Sequence, residues 1–208
     1  FGLETNYRTD LTSEVACIQA ATSSVKGACV FEEEFEKTCR SVTRGECTDI
    51  GKDAEFFEGK LCSSEDLATN CGPSEKTTLV DGKDEVYFLD TCGNVANIYD
   101  ANRQGDKSYW EEFIGKEESC NPNNDNAGSS VCGNCGYFLG STGKIYERGK
   151  DPVAPMFGEH ICRDLGCNYN GNGFQHGETW CSVSSEDEEN LPGSRYHRLV
   201  CYNGDVSV

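Results

Sequence analysis

The thiols are the first residues in this chain that could do chemistry. Fourteen cysteines are spread over 208 residues: Cys17, Cys29, Cys39, Cys47, Cys62, Cys71, Cys92, Cys120, Cys132, Cys135, Cys162, Cys167, Cys181 and Cys201. At this density thiols either grip metal or join one another. Cys132-Gly-Asn-Cys135 and Cys162-Arg-Asp-Leu-Gly-Cys167 have zinc-ribbon-like spacing, with His160 and His176 close by in sequence. The ten other cysteines have no metal spacing, and a zinc site leaves them unexplained. Disulfides account for all fourteen, so every cysteine is expected in a bridge and no metal site is assigned. A redox role for Cys132 and Cys135 lacks the βαβ surroundings that thioredoxin-like chemistry uses.

Acid–base chemistry has thinner support. The pairs to consider are His176 with Glu178 and His160 with Asp164, since a general base needs a partner in reach. There is no metalloprotease helix motif, no Gly-x-Ser-x-Gly elbow and no Gly-rich phosphate loop opening a helix. No catalytic residue is assigned, and the chain reads as a non-enzyme. Calcium is the one cofactor the pattern admits. Asn121, Asn123 and Asp125 imitate the first ligands of a calcium loop, but Asn126 and Cys132 replace its glycine and its final glutamate. Asn168, Asn170 and Asn172 alternate in a Gly-rich stretch that could offer carbonyl oxygens to the ion. Trp110 and Trp180 could form a sugar platform, or fill gaps in a thin core.

The bulk composition fits covalent staples. Only 36% of residues are hydrophobic, mean hydropathy is -0.60 and there are 23 glycines. So little apolar material makes a weak core, and each closed loop adds roughly 2–4 kcal/mol by restricting the unfolded chain. Acids outnumber bases 36 to 18, a formal charge of -18, which argues against nucleic acid and anionic lipid as partners. No run of apolar residues is long enough to span a membrane. The start at Phe1, with Met156 the only methionine, fits a mature chain whose leader has been removed. No Asn-x-Ser/Thr acceptor occurs. The expected location is extracellular, at or beyond the cell surface.

The elements that must position these groups are short. Residues 1–12 alternate, with Phe1, Leu3, Tyr7 and Leu11 on one face of a strand that precedes every cysteine. Such a strand can pair within its own sheet or complete a neighbour's sheet, which makes Phe1, Leu3, Tyr7 and Leu11 the assembly candidates. Val25 to Phe35 reads as strand or helix, and Ser63 to Leu67 as a helix start. Thr77–Val80, Glu85–Asp90 and Val95–Tyr99 read as a three-stranded meander broken at Asp81-Gly82 and Cys92-Gly-Asn94. Asn203-Gly204 marks a C-terminal hairpin whose second strand breaks off after four residues. Cysteine parity, eight up to Cys120 and six from Cys132, places a linker over the Asn-rich stretch. The expected organisation is an N-terminal strand (1–14), a disulfide-rich β lobe (15–120), a linker (121–131) and a second β lobe (132–208). The fold class is mainly β with minor α, disulfide-rich, built of short strands and hairpins in two small lobes.

Residues 60 to 208 carry a group of motifs: Asp84 to Asn94 with Ala96 to Ala101, Cys132 to Cys135, Cys162 to Cys167, His176-Gly-Glu-Thr-Trp-Cys181, and Gly193 to Gly204. Together they resemble a pattern in large, cysteine-rich, secreted or surface-anchored archaeal proteins. That resemblance implies an oxidised, extracellular location and brings no catalytic residue. In such proteins the pattern runs on past the position of Val208. Residues and resemblance lead to one expectation: a non-enzymatic, self-assembling subunit of a cell-surface filament or coat, a homo-oligomer or polymer. The alternatives are an adhesion module for glycans or partner-cell surfaces, and a secreted hydrolase.

Overall fold

The computed structural model describes residue 13, residues 25–183 and residues 196–208. The assembly candidates Phe1, Leu3, Tyr7 and Leu11 lie outside them, as does Cys17. Thirteen short strands and one α-helix are present among the described residues, joined by single 3-10 turns. The mainly-β, disulfide-rich expectation holds. The described residues divide into two compact units whose segments alternate along the chain: those up to Ser74, with 90–96 and 106–113, form one, and residues 75–89 and 97–105, with those described from Ile114 on, the other.

In the first unit, β1 (Lys26–Glu33), β2 (Glu36–Thr43) and β3 (Glu55–Glu58) form an antiparallel sheet with β1 in the centre. Ala28, Cys29 and Val30 are buried because β1 has a neighbour on each side and a helix beside it. The ambiguous stretch from Val25 resolves to strand. The helix α1 (Arg44–Ile50) has no counterpart among the sequence expectations. It starts on a capping box, in which the Thr43 side chain accepts from the Glu46 N–H and the Glu46 carboxylate accepts from the Thr43 N–H. Cys47, its one buried residue, bridges Cys29. Cys39–Cys62 and Cys71–Cys92 are its other bridges among the described residues, and Ala28, Val30, Leu67 and Phe57 pack around them. Ser63 to Leu67 forms a single 3-10 turn, Glu65–Leu67, rather than a helix. Trp110 is 1% exposed and its carbonyl accepts from the Ser63 hydroxyl, so it is core and no sugar platform.

The meander is present as β4 (Thr77–Leu79), β5 (Val86–Leu89) and β6 (Val95–Ile98), in that order. In the second unit Phe88 meets Tyr99 edge to face at 5.2 Å, and both rings are fully buried. Gly133 threads against this pair: its N–H donates to the Tyr99 carbonyl at 2.7 Å and its carbonyl accepts from Val86 at 2.8 Å. A Cβ there would meet the Cβ atoms of Val86 and Tyr99 at 2.7 and 2.8 Å, so only glycine fits. Then follow β7 (Ser141–Ile145) paired with β8 (His160–Asp164), and the hairpin β9 (Cys167–Tyr169) and β10 (Asn172–Phe174). The last sheet is β11 (Thr179–Val183), β12 (Tyr196–Tyr202) and β13 (Asp205–Ser207).

Cys120–Cys132, Cys135–Cys162 and Cys167–Cys201 close this unit. The zinc-ribbon spacing is therefore a by-product of three disulfides, and Cys132 and Cys135 do not pair with each other. Cys120–Cys132 spans the Asn-rich stretch, so the eight-and-six partition of cysteines is not the one the bridges follow. Residues 121–131 are the interior of that closed loop. Among the described residues twelve cysteines are paired, whereas Cys181 on β11, expected in a bridge, carries a free, exposed thiol. It lies opposite exposed Arg198 in the ladder, away from the buried side of the sheet where Cys201 sits. No helix among the described residues is long and apolar enough to cross a membrane.

Candidate functional site

Within the second unit, the end of β8 and the β9–β10 hairpin enclose a cleft of about 340 Å3, lined by Asp125, Asp164, Asn168, Phe174, Gln175 and His176 among others. Each wall has a local cause. The hairpin turns at Asn170 and Gly171, both at positive φ (49° and 79°), as a two-residue turn between twisted strands requires. The Cys167–Cys201 bridge ties the start of β9 to β12. At the base, the Asp164 carboxylate accepts from the Gly166 N–H at 2.7 Å through Oδ1. A Cβ on Gly166 would meet that oxygen at 3.0 Å and the Phe174 carbonyl at 3.1 Å. The Asp125 carboxylate accepts from the Ala127 N–H at 3.1 Å, and its carbonyl accepts from the hydroxyl of fully buried Ser141.

His176 is held by backbone and rings. The Asn203 N–H donates to its Nδ1 at 3.2 Å, so the neutral imidazole must carry its proton on Nε2. Tyr137 meets the ring edge-on at 4.6 Å, and Tyr202 lies 5.4 Å away. The Tyr137 hydroxyl is shifted above its ordinary value, chiefly by its hydrogen bond to Tyr202. Behind the cleft, Phe174 stacks on Trp180 with centroids 3.6 Å apart and planes 10° apart. Tyr169 tilts against the same indole at 5.7 Å. Trp180, unlike Trp110, belongs to an aromatic cluster at a binding-sized cleft.

The expected acid–base pairs are not the ones formed. Glu178 accepts from the Gln175 N–H at 2.8 Å and caps its own turn, while His176 bonds Asn203. His160 Nδ1 meets the Thr77 hydroxyl at 2.9 Å, and the Asp164 carboxylate is turned to Gly166. The Glu159 N–H donates to the same hydroxyl at 3.1 Å, so Thr77 joins His160 to the backbone of its neighbour. Burial holds His160 below its ordinary value, against the pull of Glu159.

The Asn-rich loop has several of its carbonyls bonded within itself and others to neighbouring segments, Asp125 to Ser141, Ser130 to Tyr99 and Val131 to Ala101. The Asn126 side-chain N–H groups donate to the carbonyls of Asn121, Asn124 and Asn134, which knots the loop around one buried amide. Among the described residues no three His, Cys, Asp or Glu side chains converge as a metal cluster would. Asp125 and Asn168 enter the sequence reading only as ion ligands; Gln175 and Phe174 carry no motif and are absent from it. No family model, curated protein or solved structure matches this chain.

Proposed function

We propose that the protein is a non-enzymatic, extracellular structural subunit that self-assembles into a cell-surface filament or coat. The observation that carries this reading is the run of six disulfides, each joining residues 12 to 34 apart, through both units. Bridges of this number belong to an oxidising compartment. They staple small sheets that bury too little apolar surface to be durable alone. The likeness of the motifs to cysteine-rich surface proteins supports the same location.

Assembly is assigned to residues 1–12, through Phe1, Leu3, Tyr7 and Leu11, whose alternation suits addition to a neighbour's sheet edge. Negative-stain microscopy of the double variant Leu3→Asp, Tyr7→Asp tests it. Loss of polymers with six intact disulfides is the expected result; polymers that persist reject the donor strand. The second reading, a secreted adhesion module, is favoured by the cleft beside His176, since a purely structural surface has no need of an aromatic-backed polar recess.

A further inference from the structure

We infer that this cleft is a saccharide subsite taking one neutral hexopyranose unit, free or at the tip of a glycan, an inference that rests on the adhesion reading. Charge narrows the ligand first. Asp125 and Asp164 line the cleft and no Lys or Arg among the described residues does, so phosphate, sulfate and carboxylate ligands are disfavoured. The polar groups narrow it further. Asn168 and Gln175 each bring an amide donor and an amide acceptor, and the carboxylates add acceptors. His176, with Nδ1 engaged by Asn203, contributes Nε2–H as a donor. Mixed donors and acceptors at short spacing suit a ring of hydroxyls, each of which gives and takes a hydrogen bond.

The aromatic wall supplies what water-like polarity cannot. Phe174 has one face stacked on Trp180, and its remaining surface lines the cleft. A pyranose has an apolar C–H face that packs on such a ring while its hydroxyls turn to the polar wall. Size then limits the occupant. About 340 Å3 sits at the small end of ligand sites, enough for a terminal sugar rather than a threaded chain. The walls are pre-set by Cys135–Cys162 and Cys167–Cys201, so binding orders little of the chain. With so few contacts, a dissociation constant on the order of 1 mM is expected, made useful on a polymer by repetition.

The test is saturation-transfer NMR of the full oxidised chain carrying Leu3→Asp and Tyr7→Asp, against neutral hexoses and disaccharides, a sugar acid and a polyamine. Neutral sugars are expected to bind, with transfer strongest on one face of a single ring. Gln175→Ala and Asp164→Asn should each weaken binding about tenfold, and Phe174→Leu should abolish it, with intact mass and unfolding midpoint checked for each. Silence from every neutral sugar, equal binding by all three variants, or preference for the polyamine overturns the subsite. Should sugars fail while the oxidised protein still adheres to whole cells, the adhesion reading stands and this assignment of its ligand falls.

Discussion

Asn94 bonds the outer edge of β2 through its side chain, as a neighbouring strand would through its backbone. Its Oδ1 accepts from the Ser41 N–H at 2.9 Å and its Nδ2 donates to the Cys39 carbonyl at 3.2 Å. The buried Asp90 carboxylate holds it there, accepting from the Asn94 N–H at 2.8 Å and from its Nδ2 at 2.9 Å. Asn94→Ala leaves Ser41, Cys39 and Asp90 short of partners at once. A loss of about 2–3 kcal/mol is expected in urea unfolding, since unpaired buried polar groups cost more than the bonds themselves. Asn94→Asp should be as damaging, because a second carboxylate would face Asp90 and no Nδ2 would remain. A change under half a kcal/mol in either would remove Asn94 from this role.

Lys116 and Glu85 set the acid limit of the second unit. The ammonium meets the Glu85 carboxylate and donates to the Cys135 carbonyl at 2.5 Å, while the Tyr87 hydroxyl donates to Glu85 at 3.1 Å. Burial pushes the carboxyl up, but its bonds from Lys116, its own backbone N–H and Tyr87 together hold it below the usual value of 4.5. A carboxyl depressed on folding contributes stability that is full above about 4.5 and is lost as pH falls through its folded value. Lys116→Met should therefore cost about 3 kcal/mol at neutral pH, toward the lower end for a broken buried pair because Lys116 is partly exposed. The variant should also lose less of its remaining stability on acidification than the parent does. Thermal melts from pH 3 to 7 read both effects, and parallel pH profiles would exclude the pair as the cause.

The β1–β2 hairpin turns on Glu34 and Phe35 at φ 54° and 69°, positions where side chains are strained and an Asn-Gly pair is preferred. Phe35 is fully exposed, so nothing holds it there by packing. Phe35→Gly should raise stability by about 0.5–1 kcal/mol through relief of the left-handed backbone. An unchanged or lower melting temperature would mean that the turn differs in solution.

Cys181 should react with iodoacetamide in the native, unreduced protein, since it is exposed and unpaired. Peptide mapping checks the site. The twelve paired cysteines should stay unlabelled until reductant is added. Protection of Cys181 would show that it has found a partner.

The parts of the fold legible in sequence are those in which turn chemistry and alternation coincide. The meander is marked by Asp81-Gly82 and Cys92-Gly-Asn94, and the C-terminal hairpin by Asn203-Gly204, whose φ values of 55° and 89° fit a two-residue hairpin turn. Helix α1 escapes notice because it is seven residues long, contains Gly45 and buries only Cys47. Thr43 and Glu46, spaced as a capping box, are its one visible signal. The two units escape because residues 90–96 and 106–113 return to the first of them, a closure in space that no linear boundary can mark. The cleft is half legible. His176 attracts attention by its type, but its true partner, Asn203, is 27 residues away, and the nearby Glu178 serves the turn instead.

The bridges also bear on how such a chain could be made. Among the described residues only the first two interleave, Cys29–Cys47 with Cys39–Cys62; every later bridge there begins after the one before it has closed. A chain emerging N-terminus first from an export pore can thus oxidise in the order of its emergence, each thiol meeting its mate within a few dozen residues. Under that order of emergence a wrong pairing among these twelve thiols would have to wait for a more distant one to appear.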